Sequence, residues 1–294
     1  MKKKVMSLVM AGMVVLSMAG CNSKPAETTA AAAASSEAES EAASAEETSA
    51  EEASEAGTEA VTAGATFTVG FDQDFPPMGF IGNDGEYTGF DLALARETAT
   101  RLGLEFVPQP IAWDSKDMEL DSGNVDCIWN GFTMNGREDN YTWTDAYMNN
   151  EQVFVVLADS EIQMVADLAG KVVAVQVDSS AEAALKDDPD LVATFGTLQT
   201  VPDYNTALQD LQMGAVDAVA MDSIVAGFQI EQRGDGFRWL DETLAAEQYG
   251  VGFKKGNTEL RDQVQKVLEE MAADGTLAKI SEEWFSKDIT TIGK

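Results

Sequence analysis

Histidine is absent from this chain of 294 residues, which removes Ser-His-Asp and Cys-His nucleophile systems together with His-bearing zinc sites. Cysteine is nearly absent as well. Cys21 and Cys127 are the only two, with no C-x-x-C pair and no even framework of spacings, so neither staples the fold. Positive charge is scarce: 19 Lys and Arg stand against 51 Asp and Glu, a formal net charge of -32. Phosphate backbones and anionic lipid surfaces are repelled by such a chain, and nucleic acid is excluded as a partner. The apolar run from Val5 to Met18 is too short for a spanning helix, which needs about 20 residues.

What is there begins with MKKKVMSLVMAGMVVLSMAGC: three lysines, that short apolar run, and small residues before a cysteine. This pattern predicts a secretory leader over residues 1–20. Its end, Met18-Ala19-Gly20-Cys21, resembles the lipobox of bacterial lipoproteins, which implies cleavage before Cys21 and acylation of its thiol. Two or more acyl chains anchor stably where one is reversible. An ordinary signal peptide with a chance cysteine is the competing reading. Residues 21–64 are Ala, Ser, Thr and Glu with one lysine, Lys24, and almost no large apolar side chain. They cannot bury enough surface to offset their ordering entropy and are expected to form a tether of roughly 35 Å r.m.s. span.

From Thr66 the pattern becomes globular. TFTVGF alternates as a strand, DQDFPPMGF follows as a Pro-rich turn, and IGNDGEYTGFD signals a hairpin. FDLALARETATRL places Phe90, Leu94, Ala95, Thr98 and Leu102 on one helical face, and LEFVPQPI reads as the next strand. Alternating strands and helices predict an α/β fold with a mainly parallel sheet. One signature occurs twice at a spacing of 91 residues: a helix, G-x-V-D and an apolar strand, at Gly123 to Ile128 and again at Gly214 to Val219. With KVVAVQVDSSAEAAL echoing TFTVGFDQDF, this predicts two similar lobes.

Ligands of open α/β sheets gather beyond the carboxyl ends of the strands. In two facing lobes those positions are Asp72 to Phe75, Trp129 to Thr133, Val177 to Ser180, and Met221 with Asp222. They are chemically sorted. Arg137 offers a fork for a carboxylate; Thr133, Ser179 and Ser180 add donors, the two serines at a helix N-terminus. Asp222 is placed to take an ammonium, and Phe75 and Trp129 to sandwich a side chain. Each has a plainer reading. Arg137 beside Glu138 and Asp139 fits a solvated ion pair, Asp222 and the serines fit helix caps, Phe75 and Trp129 fit core, and Cys127 fits a buried thiol. Gly250-x-Gly252 with Gly256 misses the dinucleotide spacing, so no cofactor or metal is expected.

FDQDFPPMGF, GFDLALA, DCIWNGFTMNGRE, TWTDAYM, AVQVDSSAE, GAVDAVAMD and the closing YGVGFKKGNTELRDQVQKVLEEMAADGTLAKISEEWF occur in the order found in a known family. From Thr66 to Phe285 the chain resembles the bacterial extracellular solute-binding proteins of the polar amino acid class, the receptors of ABC importers. The resemblance implies a two-lobed periplasmic-binding-protein-like fold of type II, with two crossover hinge strands and a cleft that shuts on its ligand. Lobe one is then 65–152 plus 250–294, and lobe two 153–249. It implies that Arg137, helped by Thr133 and Ser179, holds an α-carboxylate, that Asp222 and the Gly131 carbonyl hold the α-ammonium, and that Asp72 and Phe75 flank the side chain, with Asn130 nearby.

Three departures stand out. Ala93 replaces an acidic residue, Asp178 stands where a glycine usually precedes the serine pair, and the turn from Thr133 to Arg137 is one residue shorter. The expectation is a monomeric, non-enzymatic receptor, lipid-anchored on the outer face of the cytoplasmic membrane, that delivers a free amino acid to an ABC permease. Glutamine or a basic amino acid is favoured, with cystine as a further candidate. The rivals are a dehydratase on the same fold and a sensory binding module.

Overall fold

The structure, a computed structural model, describes residues 65–234 and 236–294. The expected leader, the lipidated Cys21 and the tether lie outside the described residues. Two five-stranded sheets and one small hairpin sheet organise what is described. In the first sheet Thr66–Phe71 runs parallel to Glu105–Pro110 on one side and to Cys127–Ile128 on the other. Gly252–Lys254 then pairs antiparallel with Cys127–Ile128 and with Tyr141–Trp143. In the second sheet Val172–Gln176 lies parallel to Thr197–Val201 and Ala218–Asp222. Met148–Leu157 runs antiparallel to Ala218–Asp222 and to the long strand Phe237–Tyr249.

The duplicated signature makes the same contact in both sheets. The Asp126 carboxylate accepts from the Thr68 backbone N–H at 2.7 Å, and Asp217 accepts from the Val172 N–H at 2.8 Å. Each aspartate thereby ties the strand that follows it to the parallel strand beside it. The glycines ahead of them, Gly123 and Gly214, have φ of 76° and 73°, the left-handed turn that ends a helix at little steric cost.

The predicted helical face of Phe90–Leu102 is buried at Phe90, Leu94, Ala95, Thr98 and Ala99. Against it pack Thr258–Asp274 and Thr276–Phe285, whose stripe Val264, Val267, Leu268 and Met271 is buried. Each such side chain contributes about 1.5–3 kcal/mol through removal of apolar area from water. Cys127 is a fully buried free thiol whose pKa burial pushes up, the inert role its neighbours suggested.

Met148–Leu157 and Phe237–Tyr249 form the longest ladder among the described residues, from Met148 opposite Tyr249 to Leu157 opposite Phe237. At one end they are tied to the first sheet's loops by bridges between Thr133 and Tyr249 and between Met148 and Thr290. Polar side chains punctuate this ladder where an apolar pattern would be ordinary. Asn150, Gln152 and Glu247 are all buried.

Candidate functional site

The loop from Trp129 to Arg137 follows the strand Cys127–Ile128 and is held from below by Asp91. The Asp91 carboxylate accepts from the Gly131 N–H at 2.6 Å and from the Tyr147 hydroxyl at 2.9 Å. Burial raises its pKa to about 7. Gly131 has φ of 54°, and a Cβ there would meet a Phe75 ring carbon at 2.8 Å and Tyr249 at 3.1 Å. Glycine is therefore the residue that lets the chain turn between two aromatic rings. Beyond it the Arg137 N–H bonds Met134 O, and the Trp143 indole donates to Arg137 O at 3.1 Å.

This turn sends the Arg137 guanidinium across to the second sheet's loops. It donates to Thr133 O at 3.3 Å and to Asp178 O at 3.1 Å, and its Cζ stands 5.5 Å from the Phe132 ring centroid. Among the described residues it makes no ion pair with Glu138 or Asp139, so the surface-pair reading of Arg137 is not what the fold adopts. Two of its five N–H donors are committed to those carbonyls.

Asp178 is the residue at which the family's glycine is missing. It has φ of 57°, the left-handed region that a glycine occupies freely and an aspartate tolerates better than most residues. Its carbonyl receives both Arg137 and the Trp113 indole, the latter at 3.2 Å, and its carboxylate pairs with Lys116. Lys116 is 1% exposed and lies over the Trp113 ring at 5.2 Å. Asp178 thus joins the two lobes through three separate partners. Ser179, next in sequence, caps the helix Ser180–Asp187 by accepting from the Glu182 N–H at 3.1 Å.

Asp222 stands at the N-cap position of the helix Ser223–Arg233 but makes no capping bond. Asn150 does that work instead, its Oδ1 accepting from the Ser223 hydroxyl at 2.9 Å and the Ile224 N–H at 3.3 Å. The Asp222 carboxylate is turned elsewhere. It accepts from the hydroxyls of Tyr249 and Tyr204 and from Asn150 Nδ2. Burial, with the charge of Glu247, pushes its pKa well above the usual carboxylate range.

A narrow cavity of about 10 Å³, room for roughly one water molecule as the lobes stand, is lined by Phe75, Trp113, Asn130, Gly131, Thr133, Arg137, Gln176, Ser179, Ser180 and Asp222. Eight of the ten residues singled out from sequence meet there. Asp72 and Trp129 do not. Trp129 is fully buried and packs on Tyr147 with ring centroids 6.2 Å apart, which corrects its assignment as a ligand-stacking ring: it belongs to the hydrophobic core. Asp72 stands behind the wall. Its amide donates to Asn130 Oδ1 at 3.0 Å and its carboxylate accepts from Gln176 Nε2 at 2.8 Å, and burial raises its pKa to about 6. It orients two wall amides instead of forming wall itself.

Trp113 and Gln176 were missed, yet both follow the same carboxyl-end rule. Trp113 comes just past the parallel strand Glu105–Pro110, and Gln176 is the last residue of Val172–Gln176. Applying the rule to every parallel strand finds them. Thr133 also carries a surprise: its hydroxyl donates to Glu247 Oε2 at 2.9 Å. Glu247, Asn150 and Gln152 lie within an antiparallel ladder, where no sequence rule flags a site.

The cavity wall thus carries a guanidinium, a carboxylate, two aromatic rings, serine hydroxyls and two amides. Residues 67–287 match the bacterial extracellular solute-binding proteins, family 3. The L-cystine-binding protein TcyJ of Escherichia coli (strain K12) is 32% identical over 228 residues, 76% of this chain and 84% of that protein. A substrate-binding protein of an ABC uptake transporter from Streptococcus pneumoniae, solved with bound histidine, superposes with a TM-score of 0.74 at 33% identity, covering 77% of this chain and 94% of that one. An ancestral amino-acid-binding protein described as a precursor of cyclohexadienyl dehydratase superposes at 0.69 with 31% identity, over 75% of this chain and 96% of its own. The chain is a two-lobed α/β protein and belongs to the bacterial extracellular solute-binding proteins of family 3.

Proposed function

We propose that this protein captures one free α-amino acid in the cleft between its lobes and, anchored through a lipidated Cys21, delivers it to an ABC permease. The observation that carries this reading is the pairing of Arg137 and Asp222 on the wall of one cavity. A guanidinium on one side and a carboxylate on the other match the two ends of a zwitterion. Arg137 takes the α-carboxylate with two parallel charge-assisted bonds, joined by Ser179 and Ser180 at their helix N-terminus. Thr133 joins them once its hydroxyl turns from Glu247. Asp222 takes the α-ammonium with the Gly131 carbonyl, and Phe75 and Trp113 hold the side chain between rings.

Asn130 and Gln176, with Asp72 behind them, suit a side chain that donates hydrogen bonds or carries positive charge, such as glutamine, arginine or histidine. The likeness to a cystine-binding relative adds L-cystine to the candidates. Thermal shift and calorimetry against these four amino acids test the reading. One of them is expected to bind one-to-one with a clear rise in Tm, and no binding across the common amino acids would overturn it. Mass spectrometry of the mature N-terminus tests the anchor, because an uncleaved, unmodified Cys21 contradicts it.

A second reading draws on the dehydratase-precursor likeness and on buried carboxylates at the cleft whose raised pKa values suit a general acid. Release of a new product during incubation with the bound compound would support it; recovery of that compound unchanged supports a receptor.

A further inference from the structure

Asp222 and Glu247 sit on either side of one hinge strand. Asp222 is opposite Gln152 in the ladder between Ala218–Asp222 and Met148–Leu157, and Glu247 is opposite Asn150 in the ladder on the other side. The end of the strand brings both carboxylates to one shared amide, Asn150. Asn150 Nδ2 donates to Glu247 Oε1 at 2.6 Å and lies 3.1 Å from Asp222 Oδ1. Gln152 Nε2 donates to Glu247 Oε1 at 2.7 Å. Asp222 is 3% exposed and Glu247 5%, and among the described residues neither has a lysine or arginine within ion-pair distance. Beside them Gln152 Oε1, fully buried, has no donor among the described residues.

Two buried carboxylates that share one amide donor and have no cation beside them disfavour double ionisation; one proton serves the pair. The titratable groups packed on them are Tyr204 and Tyr249, both buried, with pKa values pushed well above the ordinary phenol. They stay neutral and donate. Arg137 is the one cationic side chain that lines the cavity with Asp222. Burial and the neighbouring Glu247 charge together hold the Asp222 carboxyl well above its usual range, which agrees with the geometry.

Resting on the reading of the cleft as an amino acid site, we infer that Glu247 stands behind the ammonium subsite as the partner of Asp222: the Asp222–Glu247 pair holds one proton, and the ligand's ammonium displaces it. The exchange balances. The ligand's R–NH3+ enters unchanged, the pair passes from one shared proton to two carboxylates, and one H+ leaves to solvent. Glu247 also lines an open polar groove behind the hinge, with Asn150, Glu151, Ser223 and Gln248. That groove gives the displaced proton a path to solvent. Glu247 acts through Asp222 and Thr133 and is a positioning residue, so its signature is a proton count and not affinity alone.

The test has two arms on the full mature protein. In the free protein, 13C-carboxyl resonances of Asp and Glu are followed from pH 4 to pH 9 in wild type, Glu247→Gln and Asp222→Asn. The Asp222 resonance is expected to titrate at markedly lower pH in Glu247→Gln, and an unchanged titration overturns the shared proton. Asp222→Asn assigns the resonance and serves as the second probe of the pair. In the second arm L-glutamine and L-arginine, whose own groups do not titrate between pH 5 and pH 8, are bound in buffers of different ionisation enthalpy. Wild type is expected to release up to one proton per ligand, with affinity rising up to about tenfold per pH unit below the pair's upper pKa. Glu247→Gln is expected to bind with almost no release. Binding without release in wild type overturns the inference and leaves the cleft reading standing, whereas failure of every amino acid to bind overturns the cleft reading itself.

Discussion

The two G-x-V-D units begin alike and end in opposite charge. Asp126 and Asp217 make the same bond to the neighbouring parallel strand of their sheets, at 2.7 Å and 2.8 Å, and each leads into a strand aimed at the cleft. Past the first strand the chain enters a loop pinned by Asp91 that delivers Arg137. The second strand stops at Asp222 itself, and the neighbouring hinge strand supplies Asn150 to take over the helix cap. A repeated scaffold fixes where strand ends go; the few residues after each strand decide what they present. Charge sorting across the cleft is thus a property of two short loops on a duplicated frame.

Breaking the sorted charges should have the largest effect. Arg137→Ala is expected to weaken ligand binding by about 2–5 kcal/mol in calorimetry, while the melting temperature of the free protein stays close to wild type. Asp222→Asn, from the other side, should lose affinity on a similar scale. A loss confined to one variant would mean that the ligand is not gripped at both ends. Asp178→Gly ranks next. It relieves a left-handed aspartate, a gain of about 1 kcal/mol, but strands Lys116, which is 1% exposed, and leaving a buried ammonium unpaired costs about 3–5 kcal/mol. The net expectation is a less populated closed form, read as a larger radius of gyration by X-ray scattering. Lys116→Met, which leaves only the half-exposed Asp178 to be hydrated, should do less.

The shared half of the comparison is sharpened by Asp126→Ala and Asp217→Ala. Each removes a part-buried charge-accepting bond and should lower unfolding stability by about 1–3 kcal/mol in urea, with the two losses matching each other.

The smallest effect concerns pH. Asp91, with its pKa raised from 3.8 to about 7, binds more protons folded than unfolded between those values. Its contribution to stability therefore falls as pH rises through that window. Asp91→Asn should flatten the stability difference between pH 5 and pH 7.5 relative to wild type, because an amide accepts from Gly131 and Tyr147 without a charge to desolvate. An unchanged pH profile would place the raised pKa elsewhere.

Legibility from sequence followed periodicity. The face Phe90, Leu94, Ala95, the stripe Val264 to Met271, and the paired G-x-V-D turns were readable because local spacing and turn chemistry determine them. Residues directly after parallel strands were readable too, which is why Phe75, Thr133, Ser179 and Asp222 appear on the cavity wall as expected. Trp129 was misjudged because an aromatic at a strand end satisfies the same rule whether it turns inward to Tyr147 or outward to a ligand. Glu247, Asn150 and Gln152 were invisible because their role depends on ladder register. A shift of one residue would turn all three to the opposite face.

Composition and pattern by themselves determined the α/β class, the duplicated frame, the exclusion of histidine chemistry and the loops that bear the opposed charges. Those properties come from local spacing and turn chemistry and from what the chain lacks. Only the tertiary structure decided that Arg137 reaches Asp178 across the cleft, that Asn150 frees Asp222 from capping, and that Glu247 comes to lie beside Asp222 without a cation. Each of these joins residues far apart in sequence, and burial, which sets both the strength of such contacts and the protonation of the groups that make them, exists only once the chain has folded.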